Sequence, residues 1–136
     1  MEVGLIGRGA IAQYVQQQLE SKGHQVGAFL VRPERLADSG TTDGEGRVLV
    51  SRVVDMPGDL DQIVDCAGHE ALRAYGEDIL RAGFDLTTVS LGALADPDLE
   101  QALKQAGKVG GARLSLASGA IGALDALRSA RVGQLR

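Results

Sequence analysis

Hydrophobic residues in this chain alternate between short apolar runs and the spacing of a helix face. Val3–Ile6 and Val26–Val31 are apolar runs typical of parallel strands that are covered on both faces. Between them, Ile11, Val15 and Leu19 recur at the spacing of one face of a helix. The pattern predicts strand, helix and strand, and the alternation continues along the chain. Four further strands are predicted at Arg47–Ser51, Gln62–Ala67, Phe84–Val89 and Ala112–Ala117.

Three more helices are predicted from apolar positions at helical spacing. The first of them ends at Gly83. The second begins with Asp96 as an N-cap acid and Pro97 at its first position, and it ends at Gly107. The third follows strand six. Their apolar positions are Leu72, Tyr75, Ile79 and Ala82, then Leu99, Ala102, Leu103 and Ala106, then Ile121, Leu124 and Leu127.

This alternation of strands and helices predicts an α/β fold, a doubly wound parallel sheet of the Rossmann type with about six strands. A chain of 136 residues allows a single domain with a buried core. The natural strand order is 3-2-1-4-5-6. In such a sheet, ligands bind at the carboxyl ends of the strands, near the switch point between strands one and four. Functional residues are therefore expected in the loops that follow the strands.

The turn after strand one carries a Gly-x-Gly-x-x-Ala pattern, from Gly7 to Ala12, between a strand and a helix. Gly7 can adopt the backbone angles of a tight turn, and Gly9 has no Cβ to keep a pyrophosphate away from the backbone. Free N–H groups at the helix N-terminus, including those of Ala10 and Ile11, would face the anion. The pattern predicts a dinucleotide phosphate site, and the alternative is an ordinary turn that binds nothing.

The connection after strand two bears on the choice of cofactor. From Arg32 to Gly46 the chain is polar, and we predict it to be mostly irregular with one helical turn at Glu34–Ala37. Arg32, with Arg35 behind it, favours the 2′-phosphate of NADP or acceptance of both cofactors. Two alternatives stay open: Glu34 could serve the ribose hydroxyls of NAD, or the arginines are simply solvated.

The loops after strands four, five and six predict a nicotinamide cleft. Cys66–Glu70 lies at the end of strand four, where Cys66 is interpreted as a small wall residue rather than a nucleophile. His69 either contacts the cofactor or substrate, or caps its helix. Ser90–Leu94 and Ser118–Gly122 consist mostly of small residues that let backbone approach a flat ring, and the alternative is that both are ordinary turns between a strand and a helix. No lysine, tyrosine or aspartate in these loops has the evident placement of a general base.

Charge and composition narrow the class of protein. The net charge of −4 and the lack of a basic stripe argue against a nucleic-acid partner. No apolar run is long enough to span a membrane, so a cytoplasmic protein is expected. One Cys and two His predict neither an internal disulfide nor a metal site. We interpret His24 as a solvated loop residue.

Four segments together resemble the N-terminal half of L-aspartate dehydrogenase, a family related to homoserine dehydrogenase in its nucleotide domain. The segments are Gly4–Ile11, Cys66–Ala71, Ser90–Pro97 and Ser118–Leu127. The resemblance implies NAD or NADP as the cofactor and oxidation of L-aspartate to iminoaspartate, which hydrolyses to oxaloacetate. It also implies that Ala120 contacts the cofactor. The predicted cofactor-binding residues are Gly7, Gly9, Ala10, Ile11, Arg32, Cys66, Ala67, Gly68, His69, Ser90, Leu91, Gly92 and Ala120.

The chain departs from this family in length. Family members have a second domain that carries the substrate pocket and a catalytic histidine, which neither His24 nor His69 matches. Residues 1–136 are therefore expected to form an NAD(P)-binding domain without catalytic residues of its own, which meets L-aspartate only together with that second domain. The alternative is a stand-alone NAD(P)-binding sensor or interaction module. A homo-oligomer is left open, because loss of a second domain would expose an apolar face.

Overall fold

The computed structural model describes residues 1–39, 42–88 and 95–116. Strands and helices alternate through these residues. The strands are β1 (Glu2–Ile6), β2 (Gln25–Leu30), β3 (Val48–Val50), β4 (Gln62–Asp65), β5 (Leu86–Thr88) and β6 (Leu114–Leu116). The helices are α1 (Ala10–Ser21), α2 (Pro33–Ser39), α3 (His69–Arg81) and α4 (Pro97–Gly110), with a short 3-10 turn at Val53–Asp55.

The six strands form one parallel sheet in the order β3-β2-β1-β4-β5-β6, as predicted. Strand β1 lies at the switch point, because its Leu5 pairs with Phe29 of β2 on one side and with Val64 of β4 on the other. Helix α1 follows β1 and covers one face of the sheet. Helices α3 and α4 follow β4 and β5, the strands on the other side of β1 from β2, and cover the opposite face. The carboxyl ends of β1, β2 and β4 therefore surround one position at the edge of the sheet.

Two apolar clusters cover the two faces of the sheet. One contains Val3 and Leu5 of β1 together with the buried face of α1, which is Ala12, Val15 and Leu19. The other contains Ile6 of β1 together with buried residues of α3 and α4. Alternate residues of one strand thus enter opposite clusters, as expected for a strand covered on both faces. This arrangement confirms the doubly wound α/β class.

Two of the predicted helical segments have the wrong extent. The connection after β2 holds a seven-residue helix, α2, rather than a single turn at Glu34–Ala37. Helix α4 does not end at Gly107 but continues to Gly110, and Gly111 with φ +68 closes it in the left-handed conformation. Gly107 is buried inside the helix, where an added Cβ would lie 2.9 Å from the carbonyl oxygen of Ala112. The glycine at position 107 therefore serves close packing and not helix termination.

Two predicted face assignments are also wrong. Ile11 is 49% exposed, because it lies in the first turn of α1 while Ala12 faces the sheet. Ala82 is exposed at the C-terminal cap of α3, and Gly76 takes a place on the buried face. Strand β4 ends at Asp65, so Cys66 and Ala67 belong to the following loop. The predicted ends of strands five and six at Val89 and Ala117, and the predicted last helix, lie outside the described residues.

Candidate functional site

A cleft of about 850 Å³ opens at the carboxyl ends of β1, β2 and β4. Its walls come from the turn after β1, the end of β2 with the loop that follows it, and the β4–α3 loop with the first turns of α3. The position is the switch point at which sheets of this type bind ligands. The cleft contains the following predicted site residues: Gly7, Gly9, Arg32, Cys66, Ala67 and His69.

Gly7 joins the turn after β1 to the end of β2 and lies close to the loop after β4. Its φ of +93 is a conformation that residues with a side chain rarely adopt. Its N–H donates to the carbonyl oxygen of Leu30 at 2.9 Å, and an added Cβ would lie 3.0 Å from the Cβ of Ala67. The protein itself therefore requires glycine at this position.

Gly9 differs from Gly7, because nothing among the described residues requires a glycine there. It is the N-cap of α1 with φ −76 and ψ −166, which any residue can adopt, and an added Cβ would meet no atom of those residues within 4 Å. No side chain caps α1 and no acidic residue lies in its first turn. The first intrahelical bond is from the N–H of Gln13 to the Gly9 carbonyl at 3.0 Å, so the N–H groups of Ala10 and Ile11 have no helical acceptor. This positive helix end suits an anion, and the space above Gly9 would admit one.

Asp65 shapes the loop between β4 and α3. The side chain is fully buried, and its Oδ1 accepts from the N–H of Ala67 at 3.0 Å and of Gly68 at 3.2 Å. Its Oδ2 accepts from the Thr88 hydroxyl at 2.7 Å. These bonds hold Gly68 at φ +105, where α3 begins. This role of Asp65 was not predicted from the sequence, although an acid at the end of an apolar strand and before small residues could have indicated it.

Cys66 and His69 lie on the wall of the cleft beyond this loop. Cys66 is 8% exposed, and burial together with the Asp65 carboxylate raises the pKa of its thiol to about 12. The thiol is therefore protonated at neutral pH, which agrees with a wall residue rather than a nucleophile. His69 is the exposed first residue of α3, and no side chain caps this helix, so the alternative of a capping role is excluded.

Three arginines line the other end of the cleft, namely Arg8, Arg32 and Arg35, whereas Glu34 does not line it. The guanidinium carbon of Arg8 lies 5.2 Å from the centroid of the Phe29 ring, within the range of a cation–π contact. Arg8 was missed as a site residue, although its place between the two glycines could have indicated it.

The remaining predicted residues lie elsewhere. Ala10 and Ile11 offer backbone N–H groups at the start of α1, but they do not line the cleft. The prediction that His24 is a solvated residue is wrong: the ring is partly buried, with Nδ1 3.0 Å from the Met1 amino nitrogen. Four further predicted residues lie outside the described part of the chain, and their roles stay predictions. These are Ser90, Leu91, Gly92 and Ala120.

The described residues contain neither a metal-binding cluster nor a membrane-spanning helix. No group of three or more His, Cys, Asp or Glu side chains there could hold a metal ion. Among the same residues, no helix has the length and apolar character needed to cross a membrane.

A parallel sheet of this order, with a tight glycine turn leading into a helix at its switch point, defines a dinucleotide-binding α/β domain. Comparison with known families agrees. Residues 3–117 match the sequence model of the homoserine dehydrogenase NAD-binding domain, and the chain belongs to this family. The predicted cofactor class, NAD or NADP, is thereby confirmed.

The similarity to L-aspartate dehydrogenases is also confirmed. The chain is 44% identical over 133 residues to L-aspartate dehydrogenase of Ruegeria pomeroyi, covering 98% of this chain and 47% of that protein. It is 37% identical to the enzyme of Cupriavidus necator, covering 99% of this chain and 52% of that protein. The crystal structure of aspartate dehydrogenase from Thermotoga maritima superposes with a TM-score of 0.63 at 29% identity, over 95% of this chain and 50% of that one. The chain spans about half the length of these relatives.

Proposed function

We propose that this domain binds NAD or NADP with the pyrophosphate over the N-terminus of α1, and that it is the cofactor-binding half of an enzyme oxidising L-aspartate to iminoaspartate. The observation that carries the proposal is Gly9. The start of α1 has no side-chain cap and no acid, and within the described part of the chain the space above Gly9 is open and no packing contact requires a glycine there. A ligand that must approach the backbone accounts for both features.

The topology supports one direction for the dinucleotide along the cleft. With the pyrophosphate at the turn after β1, the adenosine end extends toward Arg32 after β2. The nicotinamide end extends toward Ala67, Gly68 and His69 after β4. When bound, nicotinamide supplies a hydride acceptor. The chain's own residues bind the phosphates, set the shape of the β4–α3 loop and leave the Cys66 thiol as a neutral wall.

We infer that oxidation of aspartate needs groups beyond those that line this cleft. The Asp65 carboxylate is engaged by two loop N–H groups and by the Thr88 hydroxyl of β5, and the raised pKa of Cys66 keeps its thiol protonated. Productive chemistry requires an amino acid held against the nicotinamide and a base for its ammonium proton. Positioning is worth about 7–11 kcal/mol of barrier and general-base help about 10²–10⁴-fold in rate. Without both, turnover should fall below detection.

The experiment measures cofactor binding and aspartate oxidation by the same preparation of the 136-residue chain. We expect NADH or NADPH to bind, and the change in nicotinamide fluorescence follows the binding. We expect no L-aspartate-dependent reduction of NAD or NADP by absorbance. The enzyme of Ruegeria pomeroyi, assayed in parallel, is the positive control. Absence of binding would contradict the proposed function, and turnover by the chain alone would contradict the need for further groups and direct attention to His69 and Glu70.

A further inference from the structure

The adenosine end of the cleft concentrates positive charge. Arg8, Arg32 and Arg35 all line it. Within the part of the chain that the structure describes, none of the three takes part in an ion pair. Four of the five arginines elsewhere in the same residues are in ion pairs, among them Arg47 with Glu20 at 2.5 Å and Arg73 with Asp96 at 2.9 Å, and Arg113 is the exception. The three cleft arginines are therefore available to a ligand anion.

Arg8 is directed toward the adenosine side by its contact with β2. The Phe29 ring below the guanidinium belongs to β2, the strand whose carboxyl end leads to Arg32. Phe29 is 2% exposed and fixed in the core, so it offers a rigid support for the arginine. A guanidinium held over a ring keeps its N–H donors free around its edge. Arg8 and Arg32 thus approach the same region from the ends of neighbouring strands.

The acid on the wall of the cleft lies at its other end. Glu70 is in the first turn of α3, after β4, on the opposite side of β1 from β2. Glu34 follows Arg32 in the chain but is not part of the wall. NAD has a free ribose diol, which is recognised by an acceptor carboxylate in the loop after β2, whereas the 2′-phosphate of NADP is recognised there by arginine. The wall offers donors where NAD would need an acceptor.

We propose that this domain selects NADP over NAD, with the 2′-phosphate held between Arg8 and Arg32 and with Arg35 adding positive charge. This inference rests on the proposed function, since it specifies which dinucleotide the same cleft takes. A phosphate monoester carries about −1.5 to −2 charge at pH 7, and planar guanidinium groups can pair with its oxygens in bidentate fashion. The extra phosphate gains these contacts in NADP alone, while the rest of the dinucleotide gains equally in both.

The test compares dissociation constants for NADPH and NADH in the unmodified chain and in four variants, Arg32→Ala, Arg8→Ala, Glu34→Ala and Arg81→Ala. We expect NADPH to bind at least about tenfold more tightly, as two charge-assisted contacts imply. Arg32→Ala and Arg8→Ala should each weaken NADPH about fivefold and change NADH by less than about twofold, the usual weight of one exposed charge pair. Arg81→Ala is the matched control. Arg81 is an exposed arginine at the far end of α3, outside the cleft, and its loss should change neither constant.

The outcomes distinguish failure of the 2′-phosphate site from failure of dinucleotide binding itself. A selective loss of NADPH binding in both cleft variants, with the control unchanged, supports the 2′-phosphate site. Equal losses for NADPH and NADH, tighter binding of NADH, or a loss of NADH binding on Glu34→Ala would overturn the selectivity while leaving the dinucleotide site intact. If neither cofactor binds to the unmodified chain, the proposed function itself fails, and this inference fails with it.

Discussion

At the scale of single residues, Asp65 connects the fold to the site. Its carboxylate is fully buried at the end of β4, and its two oxygens accept from two loop N–H groups and from the Thr88 hydroxyl of β5. One side chain therefore sets the path of the β4–α3 loop and ties it to the next strand. The wall of the cleft that holds Cys66 and His69 depends on this arrangement.

We expect Asp65→Ala to lower the free energy of unfolding by about 2–4 kcal/mol, because it leaves partly buried donors without their acceptor. The measurement is urea denaturation followed by circular dichroism. Asp59→Ala is the control: Asp59 is exposed in the loop before β4, and its removal should change the free energy by less than about 0.5 kcal/mol. Equal midpoints for both variants would show that the Asp65 bonds do not hold the loop.

Residue roles were the part of the site least accessible to sequence reasoning. Gly7 and Gly9 were predicted correctly as the turn, because local backbone requirements leave a mark in the sequence. The partners of Asp65 and Arg8 were not predicted, because Thr88 and Phe29 lie on other strands and their contacts depend on the sheet register. Hydrophobic pattern shows which residues are buried and not which polar groups meet.

At the scale of elements, the packing of α3 against α4 shows how glycine can be misread. An added Cβ at Gly110 would lie 1.8 Å from the carbonyl oxygen of Leu80, so the last turn of α4 contacts the backbone of α3 directly. Gly76 has a similar place on α3, where a Cβ would lie 2.8 Å from Leu103 Cδ2. Strand order and helix positions followed from the alternation of apolar patterns. The end of α4 did not, because glycine is common both as a helix stop and at a close helix contact.

Gly110→Ala tests this close contact. Alanine favours a helix interior, but the methyl group cannot fit against the Leu80 carbonyl without a shift of one helix, so we expect a net loss of about 1–3 kcal/mol in stability. Gln105→Ala, at an exposed position of the same helix, should be neutral or slightly stabilising. Urea denaturation of the two variants gives the comparison. A stabilised Gly110→Ala variant would mean that the two backbones do not approach this closely.

At the scale of the whole molecule, the strand order brings those predicted binding residues that the structure describes to one edge of the sheet. The turn after β1 lies between the arginine end after β2 and the loop after β4, so all three border a single cleft, along which the proposed dinucleotide would extend. Element order was sufficient to predict this class of domain. The family match agrees with a dinucleotide-binding domain, and the chain spans about half the length of the relatives it matches.

The central claim is that a dinucleotide pyrophosphate lies over Gly9, and Gly9→Val tests it most directly. Valine can adopt the backbone angles of Gly9, and its Cβ would meet none of the described residues within 4 Å, so stability should be nearly unchanged. Its side chain would occupy the space needed by the pyrophosphate. Gly58→Val is the matched control, because Gly58 has equally open surroundings before β4 at the other edge of the sheet. Calorimetric titration with NADPH and NADH should show binding lost in Gly9→Val and kept in Gly58→Val, whereas unchanged affinity in Gly9→Val would contradict the claim.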